Sequence, residues 1–141
     1  MAIVLFDTNI LIDHFNNVEE ATNELLAYDD AVISAITWIE LACKFNDTDK
    51  QAFAALLAAA GIRVVHTNDN IMYRAAEIRG GSIRKKPKIH LPDCIILATA
   101  AVQGRVIVTR NPKDYGGGDS GVHVPYKLEN GIVSELVPPR A

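Results

Sequence analysis

Two cysteines in 141 residues, Cys43 and Cys94, lie in apolar segments and form no CxxC pair, so the chain has neither a disulfide framework nor the makings of a structural zinc site. No stretch reaches the roughly 18 uncharged apolar residues of a membrane helix. The chain also arrives at Asp7 without the basic start and apolar run of a signal peptide. These absences predict a cytoplasmic protein with no membrane contact. Internal repeats and linker-like stretches are missing too. Basic residues are scarce at first: residues 1–50 hold two against ten acids, and residues 51–141 hold twelve against seven. The net charge of -3 therefore conceals a segregation. Nucleic acid, if bound, would need a basic patch set beside an acidic site.

What is present is ordinary for a folded chain, with 49% apolar and 22% charged residues. The length predicts one core and one domain over residues 1–141. Ala2 to Phe6 is a continuous apolar run too short for a helix, as expected of a strand covered on both faces. Similar signals mark strands at 31–34, 62–66 and 105–109. Between them, helices are predicted at about 18–28 (capped by Asn17 and Glu20), 37–45, 49–60 and 69–79, and from Asp93 to Gln103. The segment from Gly80 to Pro92 lacks apolar periodicity and reads as a long basic loop. Alternation of strand and helix gives an α/β fold, a parallel sheet of about five strands flanked by helices. Asn130-Gly131, between apolar segments at 122–129 and 132–137, predicts a short C-terminal hairpin.

In such a sheet, functional groups collect beyond the C-terminal ends of the strands. Asp7 follows the first strand, Glu40 lies in the helix after the second, and Asp114 lies beyond the fourth. Asp93 joins them if the segment from Gly80 to Pro92 returns the chain across the sheet. Each acid alone has a local explanation. Asp7 and Asp93 precede helical runs as N-caps do, Thr37 and Glu40 have the spacing of a capping box, and Asp114 follows Asn111-Pro112 as turn acids do. Together, four converging carboxylates repel one another unless a cation neutralises them. Oxygen-only ligation suits Mg²⁺ or Mn²⁺. His14, His66, His90 and His123 are isolated, and His90 alone lies close enough to Asp93 in sequence to contact a substrate.

Asp7-Thr8-Asn9-Ile10-Leu11-Ile12, the Glu40 helix, Pro92-Asp93-Cys94 through Ala100, and Val108-Thr109-Arg110-Asn111-Pro112-Lys113-Asp114-Tyr115 resemble the motifs of PIN-domain ribonucleases. Within that family the chain is most similar to VapC toxins of toxin–antitoxin pairs, over nearly its whole length. Two positions depart from the pattern: Tyr115 stands where Phe is usual, and Leu97 where Ala is common.

The resemblance implies a Mg²⁺-dependent endoribonuclease, with Mn²⁺ as a possible substitute, whose catalytic and metal-binding quartet is Asp7, Glu40, Asp93 and Asp114. Asn9, Thr109 and Asn111 would orient carboxylates and waters, and Arg84, Lys85, Lys86 and Lys88 would hold the RNA backbone. It also implies a VapB-like antitoxin partner and a homodimer. The alternatives are a housekeeping PIN nuclease in RNA processing and a PIN fold that only binds. Haloacid dehalogenase-like phosphotransfer requires an acid at position 9, where Asn stands. A receiver domain requires one at the tip of the third strand, where His66-Thr67-Asn68 stand.

Overall fold

The structure, a computed structural model, describes residues 1–85, 88–115 and 121–141. Five parallel strands form the central sheet: β1 (Val4–Phe6), β2 (Ala31–Ser34), β3 (Ile62–Val65), β4 (Val106–Val108) and β5 (Val122–His123), in the order β3-β2-β1-β4-β5. All three β1 side chains are fully buried, as expected of a strand covered on both faces. β1 pairs with β4 in the register Val4↔Val106 to Phe6↔Val108, and the Asp7 amide donates to the Val108 carbonyl at 2.9 Å. Strand order reverses at β1, so the ends of β1 and β4 lie side by side in the middle of the sheet.

Helices cover both faces. On one, α1 (Thr8–Phe15), α2 (Glu19–Leu25) and α4 (Asp47–Ala60) pack Ile10, Leu11, Leu25 and Phe53 onto Phe6 and Ile33. On the other, α6 (Leu91–Gln103) sets Ile96 and Ala100 over Leu5, Val32 and Ile107, while α5 (Asp69–Arg84) meets α6 through Ile71, Ala75 and Ala98. α3 (Ala35–Ala42) follows β2 directly. Gly61 and Gly104 close α4 and α6 in the left-handed conformation (φ 65° and 64°), which an L side chain adopts only at a cost. Among the described residues, no helix is long and apolar enough to cross a membrane.

Several local expectations are corrected. α1 is an additional helix with no counterpart among the predicted ones; its β-branched and aromatic residues give a weak helical signal, but Asp7 caps it. The helix predicted from about 18 begins at Glu19, capped by Val18 without a side-chain hydrogen bond, and Asn17 instead makes the preceding turn at φ 63°. α3 starts earlier than predicted because Ser34 caps it, accepting from the Ile36 amide at 3.1 Å. Thr37 and Glu40 therefore form no capping box. α5 runs through Gly80 and Gly81 to Arg84, so helix replaces the first part of the expected loop; Ser82 turns inward there and donates to the Arg79 carbonyl at 2.9 Å. α6 opens at Leu91, which puts Asp93 at its third position instead of its cap. At the C-terminus, β5 is only two residues long. Separate strands β6 (Lys127–Glu129) and β7 (Ile132–Ser134) form the hairpin, whose Asn130 and Gly131 both have positive φ (53° and 75°), as a type I′ turn requires.

Candidate active site

Asp7 takes the capping role its position suggested, and its second oxygen faces the fourth strand's end. Its carboxylate caps α1, accepting from the Thr8 amide at 2.8 Å through Oδ1. Oδ2 accepts from the Thr109 hydroxyl at 2.7 Å and from the Asn9 amide nitrogen at 3.3 Å. The β1–β4 pairing makes this possible by setting the residue after each strand beside the other. Asn9 also donates to Thr109 Oγ1 at 3.1 Å and accepts from the Arg110 amide at 3.2 Å, so one side chain ties both segments together. Burial lifts the Asp7 pKa above the usual carboxylate range, the Thr109 hydroxyl, the nearby Tyr115 hydroxyl and the Thr8 amide oppose the rise, and the charge of Asp114 adds to it.

Glu40 reaches the same edge from the second turn of α3. Its Oε1 accepts from the Thr8 hydroxyl at 2.8 Å, and Thr8 Oγ1 lies 2.9 Å from Thr37 Oγ1. A hydroxyl has one proton. With the Thr8 proton given to Glu40, the Thr37 hydroxyl donates to Thr8. Thr37 and Glu40, three residues apart, share a face of α3. Asp93 stands half-buried in the first turn of α6, and its pKa is pushed up to about 6 by burial and then by the charges of Asp114, Asp7 and Glu40, with His90 pulling the other way. The four acids thus come from four segments, and Asp7, Glu40 and Asp114 all lie within electrostatic reach of Asp93. Asp114 sits exposed on the short 3₁₀ turn Pro112–Tyr115.

Asn111 is exposed, and its contribution among the recorded hydrogen bonds is a backbone N–H donated to Thr109 Oγ1 at 3.0 Å. Of the basic residues, Arg84 belongs to the last turn of α5 with its guanidinium lying along Gly80, Lys85 follows as the exposed C-cap, and Lys88 is exposed. Lys86 lies outside the described residues. Arg79 is engaged by the Ile89 carbonyl at 2.6 Å, which ties α5 to the start of α6. The histidines do not gather at the site: His66 and His90 are exposed, His14 lies 2.7 Å from Thr22, and His123 is buried beside Glu24 at 3.4 Å.

No motif in the sequence points to the support beneath these acids. Asp13, buried in α1, accepts two hydrogen bonds from the Arg110 guanidinium, one at 3.0 Å, and a third from the Tyr126 hydroxyl at 2.7 Å. This fork joins the end of α1 to the segment that carries Asn111 and Asp114, across 97 residues of sequence. Once α1 is recognised, an acid on its buried face three residues from Ile10 is a signal that a partner must exist.

Among the described residues, no three His, Cys, Asp or Glu side chains are gathered tightly enough to chelate one ion. The donor set nevertheless fits a hard divalent cation. It is all oxygen, its charges raise the Asp93 pKa in a way a cation would relieve, and the buried Tyr115 hydroxyl has no hydrogen-bond partner among the described residues.

Residues 4–113 match the PIN domain, a family of nucleases that generally use divalent metals. In three dimensions the chain is similar to a toxin–antitoxin complex from Klebsiella pneumoniae, at 35% identity and a TM-score of 0.72 over 89% of this chain and 99% of that one. It shares its fold with FitAcB from Neisseria gonorrhoeae (24% identity, TM-score 0.72, 87% and 98% covered). The same holds for VapBC2 from Rickettsia felis bound to a DNA fragment from its promoter (22%, 0.68, 81% and 92%). No curated protein matches the sequence. With a central sheet, a carboxylate edge and a family match that spans most of its length, the chain belongs to the PIN-domain family and is built as the VapC-type members are.

Proposed function

We propose that the protein is a divalent-metal-dependent endoribonuclease that acts as the toxin of a type II toxin–antitoxin pair, with residues 1–141 forming one nuclease unit. The observation that carries this reading is the meeting of Asp7, Glu40, Asp93 and Asp114 at the C-terminal edge of the sheet. Asp7 and Asp93 would bind Mg²⁺ or Mn²⁺ directly, and Glu40 and Asp114 would complete the shell directly or through water. When bound, the cation lowers the pKa of an attacking water and stabilises the charge that develops on the phosphate.

The chain's own groups hold this arrangement. Thr8 fixes one Glu40 oxygen by donating its hydroxyl proton, and Thr109 and Asn9 fix Asp7. These hydrogen bonds set the direction of carboxylates that would otherwise turn away from one another. Hydrolysis of this kind leaves a 5′-phosphate and a 3′-hydroxyl and does not use the 2′-hydroxyl. RNA is therefore selected by contacts outside the cluster, for which Arg84, Lys85, Lys86 and Lys88 supply the charge. A VapB-like antitoxin silences the site by placing an Arg or Lys among the acids, and the toxin works as a homodimer in the cytoplasm. The antitoxin part of this reading draws on the Klebsiella pneumoniae structure, a toxin–antitoxin complex.

The test is RNA cleavage by the purified protein with Mg²⁺ or Mn²⁺ and in EDTA, alongside mapping of cellular RNA 5′ ends after brief induced expression, with Asp7→Asn as the control. The expected result is metal-dependent cleavage, new 5′ ends and growth arrest that the neighbouring antitoxin relieves, all absent from the control. Cleavage that persists in EDTA after further purification would overturn the mechanism. Harmless expression of folded, cleavage-competent protein would overturn the toxin role.

A further inference from the structure

Tyr115 holds its ring in the apolar layer between the sheet and α6, among Leu5, Val32, Ile96, Ala100 and Ile107. Phenylalanine would fill that space equally well. The hydroxyl is therefore the part that needs a reason, since it is buried and without a hydrogen-bond partner among the described residues. Burying such a group is unfavourable unless a partner becomes available. Solvent and RNA cannot supply one to an inaccessible atom, so the partner must come from the surrounding protein. Of the charges around it, that of Asp7 acts on the hydroxyl most strongly, followed by those of Asp93 and Asp114, and a phenol is a ready donor to a carboxylate.

We propose that Tyr115 is a positioning residue of the cation site, donating its hydroxyl proton to the Asp7 carboxylate and holding it in the orientation that grips a divalent cation. The inference rests on the reading of the four acids as a cation site. Asp7 has room for this donor. A carboxylate offers about four lone-pair positions. Two are taken by short bonds, from the Thr8 amide at 2.8 Å and the Thr109 hydroxyl at 2.7 Å. The third bond, from Asn9, is long at 3.3 Å and comes from a nitrogen that also serves Thr109 at 3.1 Å. Exchanging that long bond for the Tyr115 hydroxyl leaves one position on Asp7 for the cation. A cation that holds Asp7 in the exchanged orientation would thus give the orphaned hydroxyl its partner.

The experiment measures the melting temperature of wild type, Y115F and D7N in EDTA and across titrations of Mg²⁺ and of Mn²⁺. Outer partners of metal ligands typically contribute 10–100-fold to metal affinity. Y115F is expected to melt no lower than wild type in EDTA and to need about tenfold more cation for the same upward shift, and D7N is expected to respond little. A role in packing alone predicts the reverse pattern, a lower melting temperature in EDTA and an unchanged titration midpoint. Equal midpoints for wild type and Y115F would overturn the inference while leaving the cation site intact. A wild-type protein insensitive to both cations would overturn the cation site itself.

Discussion

At the end of the sheet where the strands begin, Asp30 sits between two arginines; at the end where they finish, Asp93 lies within electrostatic reach of three other acids. Arg105, almost fully buried, donates to Asp30 Oδ1 at 2.9 Å and to the Val4 and Asp30 carbonyls at 3.4 and 3.3 Å, while Arg63 reaches the same carboxylate at 3.2 Å. Arg105, with Arg63 adding to it, holds the Asp30 pKa below the usual carboxylate range. Among the described residues, none of the four acids at the far end takes part in an ion pair, and Asp93 is pushed up to about 6. One edge satisfies its charges within the chain and contributes to stability. The other leaves them without a counter-charge among the described residues, and the fold tolerates the repulsion.

The contrast can be broken most severely at Asp7. Asp7→Asn is expected to lower RNA cleavage by more than the roughly 10–100-fold that loss of an outer partner brings, with circular dichroism unchanged. Next in size is Arg110→Ala, which leaves Asp13 buried with only Tyr126 as a side-chain partner. Breaking a buried pair in this way costs about 3–5 kcal/mol, measurable by urea denaturation, and should also impair cleavage because the Asp114 segment loses its anchor.

Asp93→Asn should act in the opposite direction. Its folded-state pKa lies above the 3.8 of an ordinary Asp, so the folded protein binds the proton more tightly than the unfolded chain does. The stability this gives is present below about pH 4 and is lost as pH rises through about 6. In EDTA at pH 7–8 the variant should therefore be more stable than wild type by about 1–2 kcal/mol, and the gain should vanish near pH 4. In Mg²⁺ it should be inactive and show a smaller melting shift. Unchanged stability at both pH values would mean that no repulsion exists there.

Asp30→Asn is the smallest and the mirror image. The Asp30 pKa is depressed, so its contribution is present above the unfolded value and fades as pH falls below it. The variant should be slightly less stable at neutral pH, by less than about 1 kcal/mol because solvent screens the half-exposed carboxylate, and should cleave RNA at the wild-type rate. A loss of cleavage without unfolding would show that the two edges are coupled.

The sheet was legible because buried parallel strands leave short, uninterrupted apolar runs, and Val4 to Phe6 or Val106 to Val108 allow little else. The acids could be placed because a strand's C-terminal end is readable even when its partner strand is not. Helix ends were harder. Ser34 and His90 begin helices at positions that carry no strong pattern, and the Gly80-Gly81 pair suggested a break where tertiary packing of Ser82 and Arg79 keeps the helix going. Least legible were Asp13, Arg110 and Tyr126, whose hydrogen bonds span 97 and 113 residues, since no local period connects residues so far apart.

The β1–β4 pairing has a consequence for how the protein comes into being. Asp7 leaves the ribosome well before Thr109, and it acquires that partner only when the chain has grown more than 100 residues longer and the wide loop has closed. No amino-terminal fragment that stops short of residue 114 holds all four acids. Synthesis itself thus delays the meeting of the acids: a chain abandoned partway, however well its first strands and helices form, is released without all four.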